Sequence, residues 1–128
     1  DYFPDCNVIG GIAKSGTTWG AWLSWKLRIP FASILLDGKR KSGLQREIEG
    51  NIMGKNVVLI DNWLRTGTSI INSIEVVERN GGKVIGVIVI TKLKEVTLQA
   101  KVVTVWELDE LFEAAKKVNL VDKGFNFK

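Results

Sequence analysis

Asp61 and Asn62 close an apolar run, Val57-Val58-Leu59-Ile60, and stand a few residues ahead of the small-residue turn Thr66-Gly67-Thr68-Ser69. The first of the pair only accepts hydrogen bonds and the second both donates and accepts, a combination suited to sugar hydroxyls. A tight loop that opens into a helix aims successive backbone N–H groups at one point, where the helix dipole favours an anion, so a phosphate is its natural guest. Phosphate and ribose side by side is therefore the chemistry these residues suit. The same pattern also fits an ordinary strand-to-helix turn with a Ser/Thr cap. A second small-residue stretch, Gly10 to Thr18, sets three glycines around Lys14 and lets backbone approach a ligand closely, although its spacing is neither GxGxxG nor a P-loop. Lys39-Arg40-Lys41 is the one basic cluster, within a polar, glycine-bearing segment at 37–53 that reads either as a functional loop or as a solvated hairpin. With no histidine in the chain, proton transfer would fall to Asp, Glu or Lys, which favours a mechanism built on charge stabilisation.

The elements that must position these residues follow from hydrophobic periodicity. Asn7-Val8-Ile9 reads as a short strand, followed by a helix capped by Thr17 or Thr18 and running to about Leu27, where Arg28-Ile29-Pro30 breaks it. Phe31 to Leu36 is the second strand and Val57 onward the third. Thr68 to Arg79 has helical spacing and stops at Asn80-Gly81-Gly82. Val84 to Ile90 is a β-branched run of the kind buried on both faces, and it delivers Lys92, Leu93 and Lys94 to its carboxyl end, where an acceptor would lie. Lys101 to Trp106 is the last strand, before an amphipathic helix from about Glu107 to Val118 with Leu108, Leu111, Phe112 and Ala115 inward. The tail at 123–128 has no assignable role. Alternation of this kind predicts an α/β fold: a doubly wound, mainly parallel sheet flanked by helices, whose loops emerge from one edge.

Composition narrows the class. The 128 residues suit a single domain spanning 1–128, and 45% hydrophobic content supports a real core. There is no apolar run long enough to span a membrane, no basic-then-apolar leader ahead of Asp1, and a single cysteine, Cys6, so a reducing, cytoplasmic setting is expected. Without histidine a structural zinc site is not expected. Eighteen Lys and Arg against fourteen Asp and Glu give a net charge of +4, spread along the chain outside Lys39-Arg40-Lys41 with no nucleic-acid-binding signature; a small, highly anionic substrate explains it as well as nucleic acid does. Trp19, Trp22 and Trp25 leave the first helix apolar around most of its circumference. That implies either a second buried contact, such as a partner subunit and hence a homodimer, or a large core that these rings fill, with stacking of bases as a further use.

The stretch Val57 to Ser69 resembles the phosphoribosyl-pyrophosphate (PRPP) motif of type I phosphoribosyltransferases, and among these it is most similar to the orotate enzymes. The resemblance runs from Val8 to about Phe112. It implies transfer of the phosphoribosyl group of PRPP to a nitrogenous base, an orotate-like pyrimidine, with release of pyrophosphate. Asp61 and Asn62 would hold the ribose hydroxyls, the amides of Arg65, Thr66, Gly67, Thr68 and Ser69 the 5-phosphate, and Ala13, Lys14, Ser15 and Gly16 the pyrophosphate. The family often carries an unusual peptide geometry at the pair matching Lys14-Ser15. The segment at 37–53 would be the catalytic lid, closing Lys39, Arg40 and Lys41 over the pyrophosphate beside Asp61, with Lys92 and Lys94 on the base side. Mg²⁺ would be held mainly through the PRPP oxygens, and Asp61 is the one protein group that would touch it. Several residues depart from the family pattern. Asn62 replaces a second acidic residue, Arg65 a small one, Leu36-Asp37 an Arg-Lys pair, and Leu93 an arginine. The residues that help form a hood over the base are missing as well. These departures motivate an alternative: a non-catalytic, PRPP- or nucleotide-binding regulatory module on the same fold.

Overall fold

The computed structural model describes residues 2–36 and 47–118. Val8–Ile12 (β1), Ser15–Leu27 (α1), Phe31–Ile34 (β2), Ile48–Glu49 (β3), Asn56–Leu64 (β4), Thr68–Arg79 (α2), Lys83–Lys92 (β5), Val102–Thr104 (β6) and Leu108–Lys117 (α3) follow in chain order. Their sheet has the order β3-β2-β1-β4-β5-β6. All neighbours are parallel except β2 and β3. The expected doubly wound, mainly parallel architecture is therefore present.

Alternation along β4 divides the core. Val57 and Leu59 join the cluster under α2, with Ile70, Val76 and Val77, while Val58 and Ile60 join a smaller cluster with Leu23 of α1. Side chains of a strand point to opposite faces in turn, so one β-branched run serves both layers. The path from β1 through α1 leads outward to β2, and the path from β4 through α2 leads the other way to β5. The carboxyl ends of β1 and β4 therefore flank a topological switch point, where open α/β sheets bind ligands.

Several boundaries differ from those read in the sequence, each for a packing reason. Gly10 and Gly11 lie inside β1, not in a ligand loop. A Cβ on Gly11 would come within 2.8 Å of Gly16 O and 2.9 Å of Phe31 Cε1. Gly11 thus admits α1, and Gly10 leaves room for Val57 and Leu59 of β4. The helix starts at Ser15 with Lys14 as its N-cap residue, ahead of Thr17 and Thr18, and ends with Arg28 in the left-handed region, its N–H bonded to Ser24 O and Trp25 O. Its sheet-facing stripe is made of Gly16 and Gly20, so Trp22 and Trp25 stay 57% and 77% exposed within this chain. They do not fill a core. β5 is covered on both faces only toward its carboxyl end: Val87 and Val89 are fully buried on one side and Ile90 is buried on the other, where Ile85 and Ile88 are half-buried. Nor are Leu108, Leu111, Phe112 and Ala115 of α3 fully buried.

Part of the segment expected as a lid belongs to the framework. Ile48 and Glu49 pair with Ile34 and Ser33, Ile52 is buried, and Leu35 N–H donates to Glu47 O at 2.7 Å. The Glu47 carboxylate accepts from Arg79 and, at 3.1 Å, from Asn80 Nδ2 at the end of α2. Those bonds hold the Glu47 carboxyl below its ordinary range. Residues 37–46, with Lys39, Arg40 and Lys41, lie outside the described residues, as does the tail at 123–128.

Candidate functional site

Asp61 sits at the end of β4 and is 8% exposed. Its Oδ1 accepts from the Asn62 backbone N–H at 2.7 Å, and the Ser15 side chain lies near it at the start of α1. Burial pushes the carboxyl above its ordinary range, and Asn62 and Ser15 oppose that shift. The two small-residue loops thus meet at the switch point. Their closeness is enforced by Gly16, where a Cβ would stand 2.3 Å from Ile60 O.

The loop after β4 turns on Gly67, whose φ of 83° only glycine adopts readily. Thr66 Oγ1 receives the Thr68 N–H at 3.3 Å and faces Thr68 Oγ1 at 3.0 Å, which closes a local side-chain turn. Ile71 N–H donates to Gly67 O at 2.8 Å and starts the helix ladder. Asp61, Trp63, Arg65, Thr66, Gly67, Thr68 and Ser69 line a cavity of about 90 Å³. That is the liquid volume of roughly three waters at about 30 Å³ each, on the scale of one phosphate group. Neither α1 nor α2 has an acidic residue in its first turn or a side-chain cap, whereas the distant α3 carries Asp109 and Glu110 there. Two helix N-termini with no acidic residue in their own first turns lie at this switch point beside Asp61, and their positive ends suit a multiply charged anion.

The remaining expected residues are spread around this centre. Lys14 and Arg65 are exposed beside their loops. The Ala13–Lys14 peptide is cis, one bond earlier than the Lys14-Ser15 pair that the family resemblance singles out. Lys92, at the end of β5, pairs with Glu95 at 3.6 Å, and Lys94 is exposed. Leu93 N–H donates to Leu64 O at 2.8 Å, so the base-side candidates directly adjoin the phosphate loop. Asn62 is half-buried next to Asp61. Trp63 was not among the residues expected here. It follows Asp61-Asn62 on the same strand, and the two-residue period that returns it to the side of Asp61 was the available signal. Among the described residues, no group of three or more His, Cys, Asp or Glu side chains gathers to hold a metal.

Residues 4–122 match the family model for the phosphoribosyl transferase domain. The chain belongs to this phosphoribosyltransferase family. An orotate phosphoribosyltransferase of Lactococcus lactis is 31% identical over 129 residues, which cover 94% of this chain and 61% of that protein. One from Streptococcus thermophilus is 34% identical over 122 residues, covering 89% and 58%. The chain thus spans about three-fifths of the length of these relatives. The solved orotate phosphoribosyltransferase of Aeropyrum pernix superposes with a TM-score of 0.72 at 25% identity, covering 95% of this chain and 70% of its own. Leishmania donovani UMP synthase gives 0.74 at 21% identity, covering 92% and 27%, a likeness of fold.

Proposed function

We propose that this chain carries the phosphoribosyl half of an enzyme that transfers the phosphoribosyl group of PRPP to a nitrogenous base, an orotate-like pyrimidine, and releases pyrophosphate. The observation that carries this reading is the close approach of Gly16 to Ile60 and Asp61, which brings two amide-bearing loops together at the β1/β4 switch point. In this reading the amides of Arg65 to Ser69 hold the 5-phosphate, Asp61 and Asn62 the ribose hydroxyls, and Ala13 to Gly16 the pyrophosphate. A base nitrogen attacks the anomeric carbon as the bond to pyrophosphate breaks, with inversion. Charge spreads from sugar to leaving group in that step, and preorganised amides stabilise it without reorganising. The buried carboxylate of Asp61 faces the developing sugar cation. Lys39, Arg40 and Lys41 close over the leaving group, and Lys92 and Lys94 attract an acidic base.

One carboxylate with substrate phosphates is a usual binding mode for Mg²⁺, which rarely occupies an all-protein cage. Among the described residues Asp61 is the one buried carboxylate, with no acidic cluster around it, and it fits that mode. The metal, when bound, would neutralise pyrophosphate charge. Among the described residues no helix is long and apolar enough to cross a membrane, and a cytoplasmic setting is part of the proposal.

A homodimer through α1 belongs to the same reading. Trp19, Trp22 and Leu23 of α1, with Tyr2, Ile88 and Trp106, border an apolar groove of about 560 Å³ on the α1 face of β5 and β6. Exposed portions of Tyr2, Trp19, Trp22, Trp25 and Trp106 amount to roughly 500–600 Å² at about 200 Å² per aromatic side chain. This is a large part of the about 800 Å² per partner of a standard interface, so a second copy is the occupant this face suits. Sedimentation velocity of wild type and Trp22→Glu tests it, and a monomeric wild type refutes it.

Asn62 and Leu93 support a second reading, a module that binds PRPP without turning it over. Calorimetric titration with PRPP, with and without Mg²⁺, followed by an assay of pyrophosphate release with orotate, uracil and purine bases, decides between them. Binding with release supports the enzyme, binding without release supports the module, and no binding by folded protein refutes both.

A further inference from the structure

The loop that turns at Gly67 is shaped by residues outside itself. A Cβ placed on Gly67 would stand 3.1 Å from Val96 Cγ1 and 3.2 Å from Leu98 Cδ2, but 3.8 Å from Leu64 Cδ1. The loop therefore rests on two apolar side chains from the segment at 93–100, which is neither helix nor strand. That segment is tied in at its start by the Leu93 N–H bond to Leu64 O and by the Lys92–Glu95 pair. Val96 and Leu98 pack against the main core cluster. Leu98 and its neighbour Thr97 also border a cleft of about 410 Å³ together with Ile71 and Ile74 of α2. It thus stands between the loop and open space. A shorter side chain there leaves the loop room to sag, while the closely packed strands β1 and β4 keep their own contacts.

We propose that Leu98, assisted by Val96, is a positioning residue for the phosphate loop: it supports Gly67 from beneath and so fixes the direction of the amides from Arg65 to Ser69. The proposal rests on the reading of this loop as the 5-phosphate site. Hydrogen-bond donors act on an anion only when aimed at it, and a displacement of about 1 Å costs on the order of a hundredfold in well-built sites. Val96 and Leu98 touch no substrate. Their effect passes through the backbone of Gly67.

Three variants, Leu98→Ala, Leu98→Met and Val96→Ala, are compared with wild type by amide hydrogen exchange without ligand and by calorimetry with ribose 5-phosphate and with pyrophosphate. Leu98→Ala is expected to speed exchange at 65–70 while β1 and β4 exchange as in wild type. It should weaken ribose 5-phosphate about tenfold or more and leave pyrophosphate unchanged, and Leu98→Met should restore both readouts. If Leu98→Ala fails to fold, Val96→Ala, which removes the other contact, is read in the same way. Wild-type exchange at 65–70 in the folded variant, or equal weakening of both ligands, overturns the proposal. A wild-type chain that binds neither ligand overturns the phosphoribosyl reading instead, and the exchange data alone then decide whether Leu98 holds the loop.

Discussion

Replacing Gly16 by alanine tests the joint between the two loops most directly. The added Cβ would meet Ile60 O at 2.3 Å and Asp61 Cα at 3.2 Å. Both are backbone atoms of β4, which is paired with β1 on one side and β5 on the other, so the strand has little freedom to recede. The first turn of α1 must move instead, by roughly 1 Å if an ordinary carbon contact is to be restored. Overpacking of this kind costs about 1–3 kcal/mol. Unfolding entropies near 2.1 cal/mol/K per residue give about 0.27 kcal/mol per degree for a chain of this size, so the melting midpoint should fall by about 4–11 °C. The same movement carries Ser15 away from Asp61 and turns the Ala13–Gly16 backbone off its target. Pyrophosphate affinity should then fall, and any transferase activity with it, on the order of a hundredfold. Gly54→Ala is the comparator: its φ of 69° makes alanine strained, about 1–2 kcal/mol, but nothing lies within 4 Å of the new Cβ. It should lower the midpoint and leave binding alone. Calorimetric melting and titration on the two variants separate the effects. A Gly16→Ala protein that melts with wild type and binds pyrophosphate as tightly refutes the close-packing argument.

Other predictions rest on separate contacts. Asp61→Asn should weaken PRPP by about ten- to a hundredfold, the worth of a hydrogen bond to a charged group, yet raise the melting midpoint at neutral pH. The sign follows because burial lifts the folded-state pKa above the unfolded one: stability is greatest below the unfolded value and is lost as pH rises through the folded value, a loss the amide avoids. Equal midpoints for the two proteins across pH 3–8 would remove this account. Thr91→Val should raise the midpoint by about 4 °C or more, since Thr91 is fully buried and its Oγ1 has no hydrogen-bond partner; a lower midpoint would show that the hydroxyl is satisfied. In an NMR acid titration the Glu47 carboxyl should titrate below an ordinary glutamate, and Arg79→Ala should return it toward the usual range. A titration insensitive to Arg79 would remove the pairing.

The parts of this molecule legible in the sequence are those written in short-range chemistry. The β-branched runs at 57–60 and 84–90, the helical spacing at 68–79 and the small-residue turns identified the sheet, α2 and both loops, because periodicity and turn chemistry are local. What escaped depended on distant partners. Gly10 and Gly11 look like a ligand loop until Val57 and Leu59 are seen to press against the first and Gly16 and Phe31 against the second. The register of β3 rests on pairing with Ser33 and Ile34, and two residues carry too little pattern to announce it. Trp19, Trp22 and Trp25 are apolar at helical spacing, but the stripe that meets the sheet is glycine, which no hydrophobic scale marks as inward. Val96 and Leu98 lie in a segment without periodicity, so their place beneath Gly67 could only come from tertiary structure.

The two margins of the sheet carry a consequence of their own. β3 has two residues and β6 three, so both outer ladders end almost as soon as they begin. Unpaired strands invite other chains to add to them, and very short ones offer few consecutive donors and acceptors to a newcomer. Fibre-like growth by strand addition is therefore blunted at both margins of the sheet formed by the described residues. Adhesion, where it occurs, is directed to the tryptophan-bearing face, where contact is between side chains and two-fold closure can end it.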